Sequence, residues 1–394
     1  MEKPAVHDHF LRTARCRIGE ATKLLEILVN LDTCSRETVA LDRASRWIED
    51  QLRALDFDVE RAVSDSLGPT LIGRKSGRGK HRILLLGHYD TVFEPGEPAR
   101  RPFKIKGGRG YGPGVADMKG GVITLWEAVR CLKDVGWDNA KSITVIHNGD
   151  EEITSLASRQ WIEAAARVSD ICLVFEPGRP DGSIVVGRKG VGRFILTVRG
   201  RTAHAGVSPQ DGASAVVSLA HKILALDSLN DLSRGVTVNT VVLRGGTRSN
   251  IIPDEAVAEI DVRIPTMAMA DVVLSALEGI ASEEHVQGTR AALSGGIHRP
   301  PFEPAPKGPA LVALAREAAY ALGVCFNTTT TGGGSDGNFV SALGVPVLDG
   351  MGAIGAGYHT PEEFIELSTL PERAALAALV IYSACQRDEF LRNS

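Results

Sequence analysis

The sequence predicts an α/β protein: a mainly parallel sheet flanked by helices, with a smaller ferredoxin-like α+β module inserted into it. Three observations carry this prediction. Short, nearly continuous apolar runs alternate with longer helical patterns, the mark of strands buried on both faces of a parallel sheet. From about residue 191 to 293 the texture changes to strict alternation, as in half-exposed antiparallel strands. After the proline-rich stretch 300–309 the first texture resumes, so the middle segment reads as an insert. This gives residues 1–189 and 299–394 to a catalytic domain and 190–298 to an inserted one.

Taken in order, Trp47, Ile48, Leu52 and Leu55 recur at helical spacing, and residues 83–86 form the first clear buried strand. Val122, Leu125, Trp126, Val129 and Leu132 mark a further helix between that run and the strands at 143–146 and 171–175. In the insert, Phe194, Leu196 and Val198 face one side while Arg193, Thr197 and Arg199 face the other. Its order is strand 191–199, helix 213–226, strand 236–243, strand 256–264, helix 270–282 and strand 290–293, the βαββαβ pattern of a ferredoxin-like module. A last buried strand is expected at 345–348, and the apolar stretch 374–385 is too short to cross a bilayer and suits a buried helix.

A chain of 394 residues has room for two domains, or one with a large insert. Its 44 basic and 48 acidic side chains leave a formal charge of −4, with no block of more than two consecutive Lys or Arg, so a nucleic-acid partner is not expected. The first 17 residues lack the apolar core of a secretory signal. The six cysteines are scattered and contain no C-x-x-C pair, reading as buried thiols of a reducing compartment. Together these features lead to the expectation of a cytoplasmic protein with no membrane partner.

Chemistry gathers where the predicted strands end. The run at 83–86 leads into His88-Tyr89-Asp90, that at 143–146 into Asp150-Glu151-Glu152, and that at 171–175 into Glu176; the segment after 345–348 reaches His359. Ligands of open α/β sheets bind outside the carboxyl ends of the strands, so these groups are expected to converge. Asp117 joins them from the glycine-flanked segment Gly114-Val115-Ala116-Asp117-Met118-Lys119-Gly120-Gly121. Each residue alone reads more readily as a solvated loop residue or a cap. As a group, two histidines and three carboxylates supply what two adjacent divalent ions need: one histidine and one terminal carboxylate each, plus a bridge. Asp90, two residues beyond His88, could hold the imidazole from behind.

The segments Gly87-His88-Tyr89-Asp90-Thr91-Val92, Asp117-Met118-Lys119-Gly120-Gly121, Asp150-Glu151-Glu152, Phe175-Glu176-Pro177, Thr202-Ala203-His204-Ala205-Gly206, Ser249-Asn250-Ile251-Ile252-Pro253 and Thr331-Gly332-Gly333-Gly334-Ser335-Asp336 resemble, in order, the successive motifs of the M20 metallopeptidases. The likeness is strongest to their glutamate carboxypeptidase branch, of the carboxypeptidase G2 type. It implies hydrolysis of the amide bond of an N-acyl amino acid or short peptide. It also implies two Zn2+ per subunit, replaceable by Co2+ or Mn2+: Asp117 as bridge, His88 and Glu176 on one ion, Glu152 and His359 on the other. Glu151 would be the general base and Asp90 would orient His88. Glu151 and Glu152 would point apart on a regular strand, one toward substrate and one toward metal. The resemblance further implies a homodimer in which His204 serves the oxyanion in the site of the other subunit, with Asn250 nearby and Arg263 gripping the substrate α-carboxylate. Gly333 and Gly334 would form a backbone wall near the substrate. Amidohydrolases, desuccinylases and aromatic aminohydrolases share this machinery; Arg179, Arg188 and Lys189 are candidates for choosing among substrates.

Other readings compete. Gly333-Gly334-Ser335-Asp336-Gly337 satisfies G-x-S-x-G after a possible strand at 324–328, and Asp349 and His359 follow in the order of a serine-hydrolase triad. That reading leaves His88, Asp117, Glu151, Glu152 and Glu176 idle. Gly332, Gly334 and Gly337 stand in G-x-G-x-x-G register, but no first βαβ unit surrounds them. A scaffold on a peptidase fold would be expected to have lost a ligand or the base, and all six positions are filled. Without the motif, His204 reads as a solvated loop residue, and Arg263 as a strand residue paired with Glu259 or Asp261.

Overall fold

The computed structural model describes residues 5–392 and divides into two compact units. Of the described residues, one comprises 5–187, 304–330 and 335–392; the other comprises 188–303 and 331–334.

The larger unit is built on a six-stranded sheet in the order Asp58–Ala62, Thr70–Ser76, Ser142–Asn148, Arg82–His88, Ile171–Val174, Val347–Leu348. Its inner pairings are parallel, from Ser142–Asn148 across to Val347–Leu348, while the first two strands pair antiparallel. Ile83, Leu84, Leu85 and Leu86 are all buried, as the continuous apolar run requires of a strand covered on both faces. The helix Gly120–Asp134 is buried on nearly every side, and so is Thr369–Ala384, the predicted apolar helix near the end of the chain. A second, small sheet in the order Gly355–Ala356, Phe364–Glu366, Arg109–Tyr111, Lys104–Lys106 lies in the same unit.

The parallel strands fix where chemistry can occur. Arg82–His88, Ser142–Asn148 and Ile171–Val174 run the same way, so His88, the turn after Asn148 and Glu176 emerge at one edge. Gly121 permits a close approach there. A Cβ at this position would stand 1.8 Å from the Phe175 carbonyl oxygen, so only glycine lets the helix pass the strand end that carries Glu176.

The smaller unit is a four-stranded antiparallel sheet in the order Thr237–Gly245, Glu255–Ile264, Gly190–Arg199, Arg290–Arg299, the ferredoxin-like arrangement. Phe194, Leu196, Val198, Ala258, Ile260 and Val262 form its core with Leu219 and Leu226 of the helix Ala215–Asp227 and Val273 and Leu277 of the helix Met267–Ser282. Both helices begin at hydroxyl caps: Ser214 Oγ accepts from Val217 N and Thr266 Oγ1 from Met269 N, each at 3.3 Å. The last strand runs to Arg299 rather than stopping at 293, because its Gly295-Gly296 segment stays in register with Phe194 and Arg193. Two cysteines depart from the expectation of burial. Cys16 and Cys325 are exposed, while Cys34, Cys131, Cys172 and Cys385 are buried.

Candidate active site

Five of the predicted ligand residues meet in the larger unit. Asp117 stands at the centre, and its two oxygens face different histidines: Oδ1 lies 3.2 Å from His88 Nε2 and Oδ2 lies 3.3 Å from His359 Nε2. Each histidine has a further carboxylate of its own. Glu176 Oε1 is 3.8 Å from His88 Nε2, and Glu152 Oε2 is 3.4 Å from His359 Nε2. His88, Asp117 and Glu152 alone form a group whose donor atoms lie within 4.8 Å of one another.

The cluster is acid-rich, and its proton affinities show it. Burial disfavours the charged form of His88, yet hydrogen bonds with Asp117 and Asp90 outweigh it and raise its pKa well above the ordinary value. Hydrogen bonding to Asp117 and then Glu152 lifts His359 to about 10. Asp117, despite its burial, is lowered by His359 and His88. Among the described residues, Asp117 and Glu152 pair with histidines only, with no Lys or Arg to neutralise them. Nitrogen and oxygen donors with excess negative charge are the donor set of a divalent first-row ion such as zinc, manganese or cobalt, so the residues fit such ions.

Behind the cluster, Asp90 is fully buried and ties two ligand segments together. Its Oδ1 lies 3.3 Å from His88 Nδ1 and accepts from Glu151 N at 3.1 Å, while Oδ2 accepts from Glu152 N at 3.2 Å and Ser35 Oγ at 2.7 Å. The structure corrects one detail of the expectation. Glu151 and Glu152 do not sit on a strand; they open a three-residue 3-10 turn, Glu151–Ile153, whose first two N–H groups are taken by Asp90, so strand alternation does not apply to them. A cavity of about 380 Å3 opens beside Glu152, lined among others by Ser35, Arg36, Thr91, Val92 and Ile153.

His359 occupies the loop between two short paired strands and has φ of 61°, a left-handed conformation uncommon outside glycine and a frequent mark of functional loops. Four residues on, Glu363 is fully buried and accepts three backbone hydrogen bonds, from Gly114 N at 2.9 Å, Ala116 N at 2.8 Å and Asp117 N at 2.9 Å. Burial pushes its carboxyl up to about 7 against the pull of those amides.

A model of peptidase family M20/M25/M40 matches residues 84–383, a span that includes every member of this cluster. The chain belongs to that family. It is 33% identical to carboxypeptidase G2 of Pseudomonas sp. (strain RS-16) over 367 residues, 91% of this chain and 88% of the relative. It is 29% identical over 360 residues to a succinyl-diaminopimelate desuccinylase of Gluconacetobacter diazotrophicus, covering 84% and 88% of the two chains. In fold it is similar to a Bacillus subtilis protein described as a dinuclear metal-binding peptidase of the M20 family, with a TM-score of 0.70 at 18% identity over 94% of this chain and 99% of that one. This M20 chain is therefore an enzyme, a metal-dependent hydrolase.

The remaining predicted residues of this M20 enzyme lie in the smaller unit. His204 and Asn250 are exposed on neighbouring segments, joined by an Ala205 N to Asn250 O bond of 3.0 Å, and His204 Nδ1 accepts from Gly206 N at 3.2 Å. Arg263 is held by Asp261 through two bonds of 2.8 and 3.0 Å, the ion pair weighed against a carboxylate-gripping role. Gly333 O accepts from Arg188 Nη1 at 3.2 Å, and a Cβ on Gly334 would lie 3.0 Å from Arg299 Cδ. Ser335 belongs to the larger unit, where it is fully buried and donates from Oγ to Asp349 Oδ2 at 2.6 Å. A buried hydroxyl bonded to a carboxylate, with His359 engaged elsewhere, does not make a nucleophile. The strand before it is Thr328–Thr331, later than the expected 324–328. Sequence reasoning passed over Ser35 and Glu363, and neither had a signal in its spacing.

Proposed function

We propose that this M20 enzyme hydrolyses the amide bond linking an acyl group to an amino acid, in an N-acyl amino acid or at the C-terminal residue of a short peptide. The observation that carries the reading is Asp117, whose two carboxylate oxygens face two histidines that each have a second carboxylate. His88, Glu176 and Asp117 would hold one divalent ion, and His359, Glu152 and Asp117 the other, zinc being favoured. Such ions supply Lewis acidity, polarising a carbonyl and lowering the pKa of water. Glu151 takes a proton from the attacking water and delivers it to the departing amine, the division of labour expected of a carboxylate beside the ligands. Asp90 keeps the His88 imidazole turned toward Asp117.

We read the smaller unit as the surface that makes a homodimer, in which His204 donates to the oxyanion of a second copy's site. Its sheet ends in the edge strand Thr237–Gly245, whose Val241 and Leu243 are exposed, the kind of edge that pairs across a two-fold axis. The deciding experiment is hydrolysis of N-acyl glutamates, other N-acyl amino acids and N-succinyl amines, before and after chelation and with zinc restored. The expected result is activity on N-acyl amino acids that is lost on chelation and regained with zinc. Full activity in metal-free protein would refute the metal-dependent mechanism; N-succinyl amines as best substrates would move the enzyme to the desuccinylase branch.

A further inference from the structure

We infer that Glu363 is a positioning residue for the metal site, locking the Asp117 segment to the loop that carries His359. The inference rests on the proposed metal-binding role of Asp117 and His359. The small sheet supplies the frame. Phe364–Glu366 pairs with Arg109–Tyr111, in the register Phe364 with Tyr111 and Ile365 with Gly110, so the loop ending at Glu363 lies alongside the chain that runs on to Asp117. On its other edge Phe364–Glu366 pairs with Gly355–Ala356, closing a hairpin with His359 in its loop and Glu363 at its base.

This hairpin holds Asp117 at both ends. His359 meets the carboxylate, at 3.3 Å from Oδ2, and Glu363 Oε1 receives the backbone N–H at 2.9 Å. The same oxygen takes Ala116 N–H, and Oε2 takes Gly114 N–H. Three converging donors on one fully buried carboxyl fix the path of 114–117 with little freedom. A bridging carboxylate must satisfy two ions at once, so small changes in its backbone position act on both. Hydrogen-bonded groups that orient metal ligands typically change metal affinity or activity 10- to 100-fold when removed.

Glu363→Gln tests this. An amide has one acceptor oxygen, so whichever way it turns, an NH2 group faces an N–H that Glu363 now accepts. Zinc affinity is measured on the full chain by competition with a chromophoric chelator, and the site geometry from the visible spectrum of the cobalt-substituted protein. Glu366→Gln is the control: it removes the charge from the Arg109–Glu366 ion pair, 2.7 Å between Nε and Oε1, in the same small sheet without touching 114–117. The expected result is zinc binding weakened about 10- to 100-fold in Glu363→Gln, with an altered cobalt spectrum and an unfolding temperature close to that of Glu366→Gln, which binds zinc as wild type does. Should Glu363→Gln fail to fold, Glu363→Asp, which keeps the charge but shortens the reach, is read by the same two measurements. Wild-type affinity and an unchanged spectrum in a folded variant would overturn the inference and leave the proposed metal site standing. A wild-type chain that binds no zinc would overturn both.

Discussion

Replacing Asp90 with asparagine separates the metal-binding role of this residue from any role in holding the fold. Asp90 offers two oxygens to three donors, Ser35 Oγ, Glu151 N and Glu152 N, and stands 3.3 Å from His88 Nδ1. Asparagine keeps the shape, but it has one acceptor oxygen and turns an NH2 toward a donor. Losing a charge-assisted hydrogen bond of this kind costs about 1.5–3 kcal/mol. In the metal-free protein that cost is offset, because one negative charge is removed from a cluster that also holds Asp117, Glu151, Glu152 and Glu176. In the metal-bound protein there is no such relief, since the lost charge is one that attracted the cations. The effect should therefore appear in binding: at 1.36 kcal/mol per factor of ten, a loss of about 1.5–3 kcal/mol is roughly a 10- to 150-fold weaker zinc affinity. Thermal unfolding with and without zinc, together with chelator competition, measures it. The metal-free unfolding temperature should hardly change, while the rise on adding subsaturating zinc shrinks. Zinc affinity within twofold of wild type would refute the argument, as would a large fall in metal-free stability with affinity intact.

Glu151→Gln should retain zinc and lose on the order of a hundredfold or more in turnover; if mixed with His204→Ala, heterodimers verified by mass spectrometry of differently tagged chains should regain activity in one site, and no recovery would mean that His204 serves its own subunit or none. His147 gives a pH signature of stability: burial lowers its pKa from 6.5 to about 4, with Nδ1 bonded to Gly87 O and Nε2 accepting from Trp126 Nε1 at 3.0 Å. The folded chain keeps this imidazole neutral while the unfolded chain protonates it, so its contribution is complete above about pH 6.5 and is lost as the pH falls toward 4. Denaturant unfolding of wild type should show stability rising with pH across that window, and His147→Gln should lack up to about 1.4 kcal/mol per pH unit of the rise; equal slopes would count against the assignment.

The parts of this protein that were legible in its sequence are those set by a repeating physical pattern. A strand covered on both faces has no place for polar residues, so 83–86 and 171–174 read as continuous apolar runs and are buried in the structure. The alternation of 194, 196 and 198 against 193, 197 and 199 gave the half-exposed sheet of the smaller unit for the same reason. Convergence of His88 and Glu176 followed from topology alone, since parallel neighbours end at one edge. Less legible was the sheet's antiparallel margin, Asp58–Ala62 and Thr70–Ser76. The first of these strands has no buried residue, and so no continuous apolar run to announce it.

What spacing does not reveal is how a side chain is committed once its neighbours arrive. Glu151 and Glu152 are adjacent in sequence, and strand geometry would have separated them; instead a buried Asp90 takes the N–H of each and bends the chain into a turn. Arg263 is in the same position from the opposite side. Its guanidinium is already engaged by both oxygens of Asp261, so a substrate carboxylate would have to share or displace that pair, and a sequence match alone says nothing of the competition. Glu363 is the converse: a residue with no metal or substrate to mark it, made consequential because three amides of the Asp117 segment converge on it. In each case the deciding partner comes from close in space and is invisible to periodicity, because periodicity reports which face a residue occupies and not which hydrogen bonds are available there. Most of the proposed ligand set can thus be read from residue types at strand ends, while the rigidity behind it resides in buried carboxylates that tie backbone segments together.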